Sequence, residues 1–172
     1  MNDLSPRLKP YALALLLALL ASTLGFGLGI VFGAAESALK GRMTRSTEPV
    51  LQQFYAGDTK KAKAAVGKAF RYIVRAHLHS GVLGACALSM ILLLALLGEP
   101  SLSSRIAGHF LGLGALVYGS YWLLAGLYAP QLGGTAAAKN TFELLGMGGG
   151  GLLMLGLLGV IGVAVNRLLL RR

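Results

Sequence analysis

Charge is scarce in this sequence, and acid scarcest of all. Of 172 residues only 13% are charged, and six are Asp or Glu against 16 Lys or Arg. Ordinary soluble domains are about a quarter charged, so there is too little charge here to cover a water-facing surface. Cysteine is nearly absent. Cys86 stands alone, which excludes an internal disulfide, a CxxC zinc site and a CxxCH haem attachment. Inside its apolar run it reads as a small buried hydrophobe. The run Gly148–Gly151 lacks the following Lys-Ser/Thr of a phosphate-binding loop. Neither a Ser-His-Asp set nor HExxH is present, so the common hydrolase and zinc-peptidase chemistries have no residues to rest on.

What the chain has in abundance is apolar sequence. Hydrophobic residues make up 55% of it, and the mean hydropathy is +0.69. Four runs reach the ~20 apolar residues that a helix needs to cross the hydrocarbon core. They lie at about 11–35, 77–97, 105–129 and 143–166. The expected fold is an all-α integral membrane protein: an antiparallel bundle of four transmembrane helices in a single membrane domain over 1–172. The expected location is the bacterial inner membrane, with several passes. Arg7 and Lys9 precede the first run as in a signal peptide. Its apolar stretch is too long for a usual h-region and no clear A-x-A site follows, so it is read as a retained helix.

Residues 36–76 are the sizeable extramembrane piece. Thr47 is placed to cap a short helix with Pro49 in its first turn, stopping at Gly57. Asp58 or Thr59 then caps a second helix. On that helix Ala62, Ala65, Val66, Ala69, Phe70 and Ile73 share one face, and Lys60, Lys61, Lys63, Lys68 and Arg71 fall mostly elsewhere. This is the pattern of a basic amphipathic helix lying on a membrane surface, running on into the second span. The net charge of +10 sits beside apolar spans, which points to anionic lipid headgroups rather than nucleic acid. Counting basic residues places the 36–76 side in the cytoplasm.

Glycine is frequent, at 25 residues. Gly25, Gly29 and Gly33 repeat every fourth residue, and Gly108/Gly112 and Gly146/Gly150 have the same spacing. Small residues at that period let helix backbones approach closely in lipid. They suit packing within the bundle, a face shared with other membrane subunits or a second copy, or room for a flat cofactor.

Ionisable side chains in or near a span ask for a functional reason. His77 and His79 open the second span, His109 opens the third, Glu36 ends the first and Glu143 begins the fourth. Four crossings place Glu36, His77, His79, Tyr121, Trp122 and Glu143 at one face, with His109 and Glu99 at the other. The two histidine levels lie too far apart at about 1.5 Å per residue to clasp one haem. Two residues apart on a helix, His77 and His79 point to nearly opposite sides, and His79 is the deeper. His79 and His109 are each followed by x3-L-G-A, the trace of a possible inverted repeat.

Neutral imidazole is a common ligand. The expected activity is therefore that of a small haem- or metal-binding subunit, or a partner, of a redox and electron-transfer system. His79, His109 and His77 are the ligand candidates for haem b or a copper or iron ion. Glu143, Glu36 or Met147 can supply a second ligand at the His79 face, and Met90 can do so towards His109. Glu143 and Glu36 orient imidazoles or pass protons, while Tyr121, Trp122 and Met147 line a cofactor or quinone pocket. The alternatives are a cofactor-free assembly subunit of a larger membrane complex and a small transporter or proton path.

Overall fold

A computed structural model describes residues 5–170 and, among them, is helical nearly throughout with no strand. A short turn, α1 (Ser5–Leu8), leads through Pro10 into α2 (Ala12–Arg45). There follow α3 (Leu51–Tyr55), α4 (Thr59–Leu96), α5 (Leu102–Tyr128), α6 (Thr135–Thr141) and α7 (Glu143–Val165), which ends in a π-helical tail, Asn166–Leu170. The helices containing α2, α4, α5 and α7 are long and apolar enough to cross a membrane.

Local chemistry explains the boundaries. Ala35 takes a non-helical conformation (φ −145°, ψ 24°), so α2 breaks where its apolar run ends, then continues as a polar helix to Arg45. Between α3 and α4 the chain reverses through Ala56 and Gly57, both at positive φ. Asp58 then caps α4, its carboxylate accepting from the amides of Lys60 and Lys61, two of the donors a helix start leaves unpaired. Ser101 and Ser104 form a reciprocal capping box at the start of α5. Thr47 does not cap through its side chain; its hydroxyl donates to the Thr44 carbonyl and closes the end of α2 instead.

Glycines set how the helices meet. A methyl group on Gly25 would run into the Gly81 backbone, and one on Gly84 into Ser22 and the Ala18 carbonyl. These crossings lock α2 antiparallel to α4. On α5, Gly112 faces Ala14 of α2, Gly119 and Gly126 face Ser80 and Ile73 of α4, and Gly114 faces Gly149 and Leu153 of α7. Thus α2, α4 and α5 form a three-helix core, while α7 lies along α5 and barely meets α4. Between α4 and α7, over α5, an open cleft remains. Gly33, by contrast, has no close neighbour among the described residues.

The amphipathic segment does run unbroken into the second span, giving α4 its 38 residues and a length of about 57 Å. Its apolar face is covered by protein, however. Val66, Ala69 and Ile73 are buried with Met43 of α2, Ala125 and Ala129 of α5 and its C-cap, and Ala138 of α6. The periodicity that suits a lipid surface suits a helical neighbour equally well, because only the burial of one face is encoded. Tyr55 ties the loop end together by donating to the Pro130 carbonyl at 2.6 Å. At the other end Tyr11 donates to Ser104 at 2.8 Å, Arg7 approaches Glu99 at 3.5 Å, and Arg167 reaches the Glu99 carbonyl.

Candidate functional site

His77 and His79 leave α4 in different directions. His77 turns to α2: its Nδ1 lies 2.7 Å from the Gly25 carbonyl, and its ring packs over Gly29 and edge-on to Phe32. A carbonyl only accepts, so Nδ1 carries the proton in that contact. His109 makes the same kind of bond to the Arg105 carbonyl, one turn back on α5, at 2.7 Å. His79 turns to α5, where its ring lies 5.5 Å from Tyr118 and 5.7 Å from Trp122. Among the described residues it is the one histidine with neither ring nitrogen engaged by the protein.

Around His79 stands an aromatic group built on two helix stripes. Tyr72, Arg75 and His79 occur at i, i+3 and i+7 on α4, so they share a face; Tyr118 and Trp122 occur at i and i+4 on α5. Trp122 packs edge-on to Tyr72 at 5.1 Å and at 61° to Tyr121 at 5.1 Å. The Arg75 guanidinium lies 5.2 Å from both the Tyr72 and the Trp122 ring centres, within range of attraction to the ring faces. The Trp122 indole N–H is shut off from solvent and has no hydrogen-bond partner among the described residues.

Beside this group is a cavity of about 440 Å³, open to the outside, lined by Tyr118, Tyr121, Trp122, Lys139, Asn140, Glu143, Gly146 and Met147. It contains a carboxylate, an ammonium group, an amide and phenols between aromatic faces, able to hold a polar planar group and to exchange protons with it. Gly146 admits the Tyr121 ring, against which a methyl group would sit at 3.1 Å. Met147 is 68% exposed at the rim.

The structure therefore brings His79, Tyr118, Tyr121, Trp122, Glu143 and Met147 to one region and leaves other expected members elsewhere. Glu36 pairs with Lys40 on its own helix, beyond the break at Ala35, beside Phe32 and Gly33. It does not join Glu143, because α2 and α7 pack on different sides of α5. Met90 lines a lower cavity with Leu111 and Gly150, and the His109 Nδ1 is held by the Arg105 carbonyl. Cys86 is exposed, not buried, on the same α4 stripe. Among the described residues, no three His, Cys, Asp or Glu side chains cluster to hold a metal ion. Arg75, Tyr72, Lys139 and Asn140 join the site without being marked as members by the sequence. The i, i+3, i+7 spacing on α4 was the available signal for the first two, and α6 gave none for the others.

Lys60, Lys61, Lys63, Lys68 and Arg71 are all exposed on the outward side of α4. Compared with known proteins, the chain matches no family model, no curated protein and no solved structure. What the fold defines is the class: an all-helical chain with four helices fit to span a membrane and a polar aromatic site at the loop-bearing end.

Proposed function

We propose that the chain is a multi-pass subunit of the bacterial inner membrane that serves a redox system, with His79 presenting its imidazole to an electron-carrying group. The observation that supports this is the contrast among the histidines. His77 and His109 are engaged by backbone carbonyls, whereas His79 keeps both nitrogens free beside aromatic rings and the cavity holding Glu143. A group served here needs one protein imidazole, as haem or a hydrogen-bonded quinone does, and not the several ligands of a copper or iron ion bound by protein alone. Glu143 and Lys139 supply proton and charge balance at the rim. The exposed lysines of α4 face anionic headgroups on the same side.

The test is chemical analysis of the full chain purified in mild detergent: solvent extraction of bound organic groups, with haem, quinone, iron and copper quantified per chain. The expectation is haem or quinone near one per chain, lost in His79→Ala and kept in His109→Ala. A chain that carries neither supports the second reading, a cofactor-free assembly subunit. For that reading the relevant observation is α7, whose Leu144, Met147, Met154, Leu155 and Leu158 stay exposed and available to another subunit.

A further inference from the structure

The site at His79 does not end at its polar cavity. A second cavity of about 170 Å³ lies towards the terminal end, lined by Leu83, Cys86, Met90, Leu111, Gly150 and Met154 among others. The two share walls on α5 and α7; α4 lines only the apolar one and meets the polar one through His79, whose ring packs on Tyr118 and Trp122. On α7, Glu143 and Met147 line the polar cavity and Gly150, Met154 and Leu157 the apolar one. These positions follow at i, i+4, i+7, i+11 and i+14, a single face of the helix. On α4, His79 stands one turn above Leu83, Cys86 and Met90 on a common stripe. Tyr118 and Leu111 of α5 form the floor. From Glu143 to Leu157 the groove runs for about 21 Å, polar and aromatic at the end where chain reversals and charge gather, purely apolar below.

From this geometry we infer that the cleft between α4 and α7 binds an isoprenoid quinone, its ring among His79, Tyr118 and Trp122 and its tail along Gly150, Met154 and Leu157. The inference deepens the redox reading and rests on it for the choice of quinone over other amphiphiles. The head end suits a quinone better than a phospholipid. Phosphate seeks cations and backbone amides; here the Arg75 guanidinium lies against the Tyr72 and Trp122 rings, and Lys139 shares the rim with the Glu143 carboxylate and flat π faces. A quinone ring stacks on those faces, and its carbonyl oxygens accept from the imidazole, a phenol or the Lys139 ammonium. Methionine suits the tail end, since a flexible thioether side chain adapts to a mobile apolar chain.

The chain reports on its own groove, since Trp122 is its only tryptophan. Decylubiquinone is titrated into the full chain in nanodiscs while Trp122 fluorescence is followed. Saturable quenching is expected. Gly150→Leu fills the groove, and its new Cβ meets only the Tyr118 ring at an ordinary 3.7 Å. It is expected to weaken binding at least about tenfold. Gly148→Leu, on the open side of α7 with nothing within 4 Å, leaves binding unchanged. Independently of any variant, a tail-less benzoquinone is expected to bind at least about tenfold more weakly than decylubiquinone. Linear quenching, identical in both variants and indifferent to the tail, means mere partitioning and overturns the inference. So does quenching relieved by added phospholipid but never by excess quinone. Haem bound through His79 sinks the quinone assignment and leaves the redox reading standing; the absence of both haem and saturable quinone binding removes both.

Discussion

Single residues in this protein act through what their backbone neighbours allow. The two-residue spacing of His77 and His79 already separates them in the sequence. Which of them meets a carbonyl is set by the Gly25–Gly81 crossing, which brings α2 close enough for Gly25 to accept. That depends on a helix pairing no local pattern encodes. His77→Ala is expected to cost about 1–2 kcal/mol, the worth of a partly buried hydrogen bond plus ring packing. Denaturant unfolding in detergent measures it, and the proposed binding at His79 should be retained. Gly25→Leu is expected to cost about 1–3 kcal/mol or more, since the Gly81 backbone cannot turn aside as a side chain does. Gly27→Leu, with nothing within 4 Å, should unfold with the wild type. A similar loss at both positions would show that the α2–α4 contact is not as close as described.

The elements repeat that lesson one level up. Their existence was legible because span-length apolar runs, a capping Asp58 and an amphipathic period each have a direct physical meaning. Partners were not. The period of α4 shows that Ala62, Val66, Ala69 and Ile73 are covered, but lipid and protein cover apolar carbon alike. Two predictions belong here. Asp58→Ala removes the cap of α4 and should destabilise it by about 1 kcal/mol, seen as faster amide exchange confined to the first turns after Thr59. Ala69→Glu, at a position with no exposure, should detach the N-terminal part of α4 from Met43 and Ala125 and expose residues 59–72 to proteolysis. If the segment instead lay flat on lipid, Ala69→Glu would weaken vesicle binding and leave proteolysis unchanged.

At the scale of the molecule, the expected four-helix arrangement is realised as three helices around a shared core with a fourth laid on α5. Four equal apolar runs do not reveal this asymmetry. The glycines do, once their neighbours are known: those of α5 face three directions, towards α2, α4 and α7, while Gly148, Gly151 and Gly162 of α7 face nothing. The H-x3-L-G-A echo places one close-packed glycine on each side, Gly84 against α2 and Gly114 against α7. The symmetry stops there, because α2 packs closely on both α4 and α5, whereas α7 packs on α5 and barely meets α4. That inequality opens the cleft beside His79. Lys139 and Asn140 reach the cleft from α6, a helix of seven residues with too little apolar pattern to be found from sequence.

The measurement that bears most directly on the redox reading is a reduced-minus-oxidised absorption spectrum of the full chain in nanodiscs, compared with His79→Ala, His77→Ala and His109→Ala. A redox-active chromophore, quinone or haem, is expected, with a signal lost in His79→Ala and kept in the other two variants. A flat difference spectrum, or a signal that His79→Ala leaves intact, would contradict the redox reading.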